Sequence, residues 1–385
     1  MPCSTLPVRS SQFLLKNSPN ATHLTTKLQT MNLKTSIPAI FILTYVAISF
    51  IQPAQSCTDT CTADEIKAFE KFKQEFYKSY STAADECTAR GIFCKNYRKI
   101  IDNNNNSSST YKMAVTSSTD QLSEDSRSTG MVDPPPLEVA KRNTTSAKLI
   151  RKAKKVKANQ FAQNTVKESS GNVNNGPLTG PVKDQGNCGS CWAFCAAAVL
   201  QYQAKVYQNR TIEVSEQDFL ECNAYASMYG CNGGNPIFAM TYAYKTGVIP
   251  MVKYPYRQTK EACRRSSSMG QNYPTLGDVT MANANGDESV LRRIIDSYGV
   301  IAIAMGTTTG FTSYSSGVFD DPACPTKVSH CVTLVGYGTD DVLGDYWMLK
   351  NSWGTDWGEA GYFRMKRGTN TCGIETANYY VVVPK

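Results

Sequence analysis

Histidine is scarce in this 385-residue chain: there are two, His23 and His330. No stretch downstream of His23 can offer a histidine pair, and the cysteines supply no second Cys-x-x-Cys to complete a tetrahedral zinc site. No metal or cofactor is expected. Cationic excess is missing from the C-terminal part. Residues 1–171 carry 23 Lys and Arg against 14 Asp and Glu, whereas residues 172–385 carry 17 against 18. A nucleic-acid-binding role for the latter therefore has no electrostatic basis. Apolar length is short as well. The run Ile37 to Ile51 falls below what spans a bilayer comfortably, so stable membrane insertion is not expected. Internal repeats are not apparent. With 41% apolar and 10% aromatic residues the chain can bury a core, which excludes a wholly disordered or collagen-like protein.

Cysteine, in contrast, is abundant. Fourteen residues spread through both halves point to an oxidising compartment and a disulfide framework. A secretory signal fits: the apolar run follows Lys34 and leads to Ala54-Gln55-Ser56, a small-x-small cleavage pattern. Met31-Asn-Leu-Lys opens a normal signal peptide, so residues 1–56 read as leader and signal, with the true start at Met31. Asn105, Asn106, Asn143 and Asn209 open glycosylation sequons of an exposed secretory-pathway surface.

Beyond the signal, residues 63–104 read as two helices. Ile66, Phe69, Phe72, Phe76 and Tyr80 form an amphipathic stripe. Glu86, Arg90, Phe93, Asn96, Ile100 and Asn104 share one face of the second helix. An antiparallel hairpin favours the nested pairs Cys61–Cys87 and Cys57–Cys94. Residues 123–171 are polar and Pro-rich, with eight basic and no acidic residues between Lys141 and Lys157, and read as a disordered basic linker. From 172 the composition turns globular. Helices are expected from Ser190, an N-cap, through Lys205, over Ser215 to Cys222, and over Glu288 to Tyr298. Strands follow at Val300–Met305, Cys331–Tyr337, Tyr346–Lys350, Gly361–Lys366 and Tyr379–Val383. Helices first and strands afterwards argue for an α+β fold of two lobes.

With the signal removed, His330 is the single imidazole left, and any mechanism with a histidine base must use it. Cys191 opens a helix, where the N-terminus favours thiolate over thiol. A thiolate beside an imidazolium is an activated nucleophile that needs a third polar group to orient the ring. Cys188-Gly-Ser-Cys191 also fits a thiol-disulfide oxidoreductase, although no βαβ context for that motif is visible.

The string Gln185-Gly-Asn-Cys188-Gly-Ser-Cys191-Trp-Ala-Phe resembles the nucleophile motif of the papain-like cysteine peptidases. Val328-Ser-His330-Cys-Val-Thr-Leu-Val-Gly-Tyr-Gly is similar to the family's histidine strand, and Lys350-Asn351-Ser-Trp353-Gly to its asparagine motif. The resemblance runs over nearly all of 181–385. It implies a two-lobe fold with a helical left lobe, an antiparallel β-barrel-like right lobe and the active site in the cleft between them. Carried over, Cys191 attacks the scissile carbonyl, His330 pairs with it and protonates the leaving amine, Asn351 orients His330, Gln185 contributes to an oxyanion hole, and Trp353 shields the Asn351–His330 contact. The family pattern pairs Cys188–Cys231, Cys222–Cys263 and Cys324–Cys372. Cys195 and Cys331 are left over as small buried hydrophobes.

Matching positions put Asn235, Pro236, Ala304, Val328, Cys331 and Ala377 at an uncharged S2 pocket, with Trp357 beside Trp353 and with Gly233 and Gly234 pairing to the substrate backbone. This implies an endopeptidase with a hydrophobic P2 preference, since the domain lacks the second histidine of the carboxydipeptidase branch. The face Glu86 to Asn104 resembles the ERFNIN pattern of cathepsin L-like propeptides, making residues 57–122 a helical inhibitory module that runs through the cleft in a nonproductive direction. The family's Gly-x-Asn-x-Phe-x-Asp stretch reads Ala114, Thr116, Ser118 and Asp120 here, keeping only its last residue. The implied partners are protein and peptide substrates, the chain's own propeptide and cystatin-type inhibitors. The implied state is a monomeric zymogen bound for a lysosome-like acidic compartment or the exterior.

Overall fold

A computed structural model describes residues 57, 60–122, 130–131, 171–225, 228–266, 269 and 277–384. The signal peptide, the Met31 start and most of the basic linker lie outside the described residues.

Two helices open the fold. Thr62 starts α1 (Ala63–Glu75) through a capping box: its hydroxyl accepts from the Glu65 amide, and the Glu65 carboxylate accepts from the Thr62 amide at 2.8 Å. Thr82 caps α2 (Ala83–Asn105). The helices meet through rings, with Phe93 centred 5.4 Å from Phe69 and 4.9 Å from Phe72, all three fully buried. The disulfides are Cys57–Cys87 and Cys61–Cys94, not the nested pairs expected of a hairpin. Nesting assumes that the chain before α1 continues the helix antiparallel to α2. The described residues there, 57 and 60–62, are not helical, and the earlier cysteine pairs with the earlier cysteine of α2 and the later with the later, so the two cysteines follow α2 in the same direction.

The six-residue face of α2 does several jobs. Glu86 forms an ion pair with Lys73 of α1. Asn96 donates to the Thr119 and Gln121 carbonyls at 2.9 and 3.1 Å. Asn104 both donates to and accepts from the Met113 backbone, at 2.8 and 2.9 Å. This fixes strand β1 (Tyr111–Met113), which adds antiparallel to the edge of the main sheet, Tyr111 opposite Gly317. Asp120, the retained residue of the altered stretch, is buried and bonded to Lys78 and Tyr80, each at 2.9 Å.

The second part is built on helix α3 (Cys191–Gln208), whose first fourteen residues are all buried. It is joined by α4 (Glu216–Cys222) and α5 (Pro236–Thr246). After β2 (Val173–Asn174) and β3 (Gly277–Asn283) come α6 (Glu288–Tyr298), β4 (Ile301–Met305), the short α7 (Thr309–Thr312), β5 (Tyr314–Phe319), β6 (His330–Asp340), β7 (Gly344–Lys350), β8 (Tyr362–Lys366) and β9 (Asn378–Pro384). The sheet order is β1-β5-β8-β7-β6-β4-β9-β3, with β2 also on β6; all pairs are antiparallel except β5 with β8. Strand β6 is buried on both faces. Val332 and Leu334 enter the core of the sheet lobe, while Cys331 and Val335 pack with α3 in the core of the helical lobe.

Six elements escape the sequence reading: α5, α7, β1, β2, β3 and β5. Strand β5 reads Tyr-Ser-Ser-Gly-Val-Phe, with no alternation, and is a strand because β8 and β1 pair with its two edges. Helix α5 carries a start signal after all, since the Asn235 side chain accepts from the Ile237 amide and Pro236 sits at the first turn.

Phe93→Ala removes the ring at the centre of the N-terminal helical cluster and is expected to destabilise that module by about 3–5 kcal/mol. Thermal unfolding and limited proteolysis of the full chain carrying Cys191→Ala should show the N-terminal helical module cut at lower temperature with the remainder intact.

Candidate active site

Cys191 begins α3, and His330 begins β6, so the candidate nucleophile and base arrive from different elements. Ser190 precedes the helix with φ −109° and ψ 12°, but its hydroxyl makes no capping bond. It lies instead 2.6 Å from the Tyr256 hydroxyl, a correction to the expected side-chain cap, and Tyr256 in turn donates to the Gln185 carbonyl at 2.7 Å. The loop before α3 is bound to the 229–234 turn by the Cys188–Cys231 disulfide and by the Gly189 amide on the Cys231 carbonyl at 2.9 Å. Cys222–Cys263 and Cys324–Cys372 also form.

His330 Nε2 lies 2.8 Å from Asn351 Oδ1. That oxygen also accepts from the Ser352 amide at 2.9 Å, which fixes the orientation of the Asn351 side chain. An amide oxygen only accepts, so Nε2 carries the proton and Nδ1 keeps its lone pair. Nδ1 is buried without a hydrogen bond among the described residues. Trp353 covers this contact, its ring 4.9 Å from the imidazole, and packs edge-on against Trp357 at 5.1 Å and Phe311 at 5.3 Å. Gln185 is fully buried; its Nε2 donates to the Cys188 carbonyl at 2.9 Å and its Oε1 accepts from Ser352 at 2.7 Å. The strap leading to Gln185 is held by Lys350, which donates to the Gly180 and Pro181 carbonyls at 2.8 and 2.9 Å. Burial lowers the Lys350 pKa to about 8.

The residues expected at the substrate cleft divide. Ala304 and Cys331 are cross-strand partners, and Pro236 and Ala377 are buried. Asn235 is fully buried, with its side chain on the Ile237 amide and 3.0 Å from the Tyr380 hydroxyl, so it frames the region by its backbone. Val328 lies farther along, lining a groove with Thr307–Gly310 and Lys99. Cys331 is not a free thiol: it is bonded to Cys195, which corrects the expectation of two separate buried hydrophobes. Cys191 is the one free cysteine among the described residues.

The cleft is occupied. Gly130 and Met131, which the sequence reading leaves in the linker, lie across Cys191. The Gly130 carbonyl accepts from the Gly234 amide at 3.0 Å, the Met131 amide donates to the Ser329 carbonyl at 3.1 Å, and Met131 bridges Gly234 in parallel. A Cβ at Gly130 would stand 2.8 Å from Cys191 Sγ and 2.5 Å from the Gly189 carbonyl, so only glycine passes here without displacement. Gly234 is equally constrained, because a Cβ there would meet the Trp192 indole at 2.6 Å. Farther along, Phe76 and Val115–Ser118 roof a cavity of about 140 Å³ beside Trp353 and Trp357. No composition or motif signal marks Gly130; a lone glycine in a polar stretch acquires its role only through the fold.

This cover dominates the electrostatics. Burial pushes the Cys191 thiol up to about 12, with the Cys331, Trp192, Gly130 and Cys191 amides pulling weakly the other way. Burial also pushes the His330 imidazole down to about 4, opposed by its bond to Asn351. Both shifts favour neutral forms, so the covered pair is thiol and imidazole rather than an ion pair.

Comparison with known proteins follows this geometry. The sequence pattern of the papain family cysteine proteases matches residues 166–382, and that of the cathepsin propeptide inhibitor domain matches residues 69–125. Cathepsin L of Sarcophaga peregrina is 32% identical over 323 residues, covering 81% of this chain and 91% of that protein. Cathepsin L1 of Drosophila melanogaster is 30% identical over 377 residues, covering 95% and 97%. The structure of digestive procathepsin L 3 of Tenebrio molitor larval midgut superposes with a TM-score of 0.69 at 29% identity, covering 84% of this chain and all of that one.

Two outcomes follow from the cover. A depressed imidazole pKa stabilises the covered state above its ordinary value of 6.5, and that contribution is lost as pH falls from 6.5 toward about 4; opening of the cleft, read as iodoacetamide labelling of Cys191, is expected to accelerate across that window. Gly130→Val should expel the strand and raise the labelling rate at pH 7 by about a hundredfold or more, because thiolate, not thiol, is the nucleophile.

Proposed function

Because the chain belongs to the papain family of cysteine peptidases and carries the inhibitory propeptide of a zymogen, we propose that the mature enzyme is an endopeptidase working through a Cys191–His330 thiolate–imidazolium pair. The observation that carries this reading is the extended backbone already lying in the cleft, hydrogen-bonded to Gly234 and Ser329 above the Cys191 thiol. A cleft that pairs with main chain recognises peptides in general, and side-chain pockets then set the choice. The propeptide bridges Gly234 in parallel; substrate enters in the opposite direction and presents its carbonyl to the sulfur.

Removal of the cover rehydrates both groups, and the helix start of α3 favours the thiolate. Cys191 attacks the scissile carbonyl, the oxyanion is held by the Cys191 amide and the Gln185 side chain, and the imidazolium gives its Nδ1 proton to the leaving amine. The acyl-enzyme is released by water that His330 deprotonates. Asn351 holds the ring by its Nε2 proton throughout. Ala304, Pro236 and Ala377 bring no charge to the P2 position, which supports a preference for hydrophobic or aromatic residues there. The absence of a second histidine from 172–385 supports internal cleavage rather than removal of C-terminal dipeptides. A secreted or lysosome-like destination, a monomeric state and inhibition by cystatin-type proteins complete the reading.

The full chain, secreted from a eukaryotic host and acidified under mild reduction, should hydrolyse Phe-Arg and Leu-Arg amides after conversion to a fragment that begins between residues 155 and 181. Cys191→Ala should cleave neither, and Gln185→Ala should lose about 10²–10³ in kcat. Equal turnover of an Arg-at-P2 substrate would remove the P2 assignment, and activity surviving in Cys191→Ala would remove the nucleophile.

A further inference from the structure

The bridge between Cys195 and Cys331 stands apart from the other disulfides of the catalytic portion. Cys188–Cys231, Cys222–Cys263 and Cys324–Cys372 join residues only 43, 41 and 48 apart in the chain. Cys195–Cys331 spans 136 residues and joins α3 to β6, with the two Cα atoms 6.3 Å apart. Both partners are almost fully buried, at 2% and 1% exposure. Cys195 lies one helical turn after Cys191, and Cys331 directly follows His330. The covalent link therefore connects the element that carries the nucleophile to the element that carries the base, at the closest positions that leave both side chains free for chemistry. The amide of Cys331 itself donates to Cys191 Sγ at 3.4 Å. One half-cystine thus tethers the strand and also presents a backbone donor to the reacting sulfur.

We infer that the Cys195–Cys331 bridge is a positioning element of the active site, holding His330 and the Cys331 amide in register with Cys191. The inference rests on the reading of Cys191 and His330 as nucleophile and base. Without the bridge, the separation of the two would depend on side-chain packing at the α3–β6 seam, where a shift of about 1 Å can cost on the order of a hundredfold in rate. The bridge removes that freedom, and its amide donor favours the thiolate once the cleft is open.

The test compares the wild-type chain with the double variant Cys195→Ala/Cys331→Ala, both matured at acid pH. Expected is a fall in kcat of tenfold or more with KM within about twofold, and a parallel fall in the second-order rate at which iodoacetamide alkylates Cys191. A role in stability alone lowers the melting temperature and leaves the kcat and the alkylation rate, measured well below it, at wild-type values; that result overturns the inference. Should the double variant not accumulate, matured wild type is treated with a water-soluble phosphine, and the opened fraction is read by alkylation and peptide mass mapping. Activity lost in proportion to opening of Cys195–Cys331 supports the positioning role, and full activity in molecules whose bridge is open defeats it. Wild type that hydrolyses nothing, or Cys191→Ala that hydrolyses normally, would instead count against the proposed peptidase reading.

Discussion

The seam between helix α3 and strand β6 is the constraint on which the rest of the molecule depends. Two hydrophobic cores meet there, one built under the helix and one inside the sheet, and β6 contributes alternate side chains to both. A strand buried on both faces cannot slide or rotate without breaking packing on one side. His330 at its first residue therefore has a defined position relative to Cys191 at the first residue of the helix. The second sphere follows from the same arrangement. Strand β7 lies beside β6 and ends at Lys350, which delivers Asn351 to the imidazole and fastens the strap that carries Gln185. Trp353 and Trp357 close the far side.

The proregion uses the same physics to keep this site silent. Its helices form a module of packed rings and two disulfides that places β1 on the sheet edge and so sets where the following chain goes. The cover leaves the His330–Asn351 hydrogen bond in place. Water is excluded, the thiol and the imidazole are each pushed toward neutrality, and the Nδ1 lone pair is left buried and unused. The imidazole is already held in one orientation, since its Nε2 proton points to Asn351.

The altered stretch Ala114 to Asp120 shows what such a module must keep. Glycine, asparagine and phenylalanine of the related pattern are gone, yet Asp120 remains buried between Lys78 and Tyr80, and Asn96 still collects the carbonyls on either side of it. The ionic and amide contacts tie the turn to the helices, so the chain path survives replacement of the residues around them.

Sequence alone determined the family and the class of fold. A single histidine in the mature part, a cysteine at a helix start and an asparagine before Ser-Trp-Gly are chemically specific, and α3, α6 and most strands carry periodicity strong enough to read locally. Only the tertiary structure decided what depends on contacts between distant segments. Strand β5 exists through its neighbours, Gly130 matters because Cys191 lies beneath it, and the propeptide cysteines pair according to the direction of a short non-helical segment. Cys195 and Cys331 read as two unrelated small residues because their positions, 136 apart, say nothing of distance until α3 packs on β6. Local propensity is encoded in adjacent residues, whereas pairing, burial and the electrostatics of a covered site are properties of surfaces that meet only once the chain has folded.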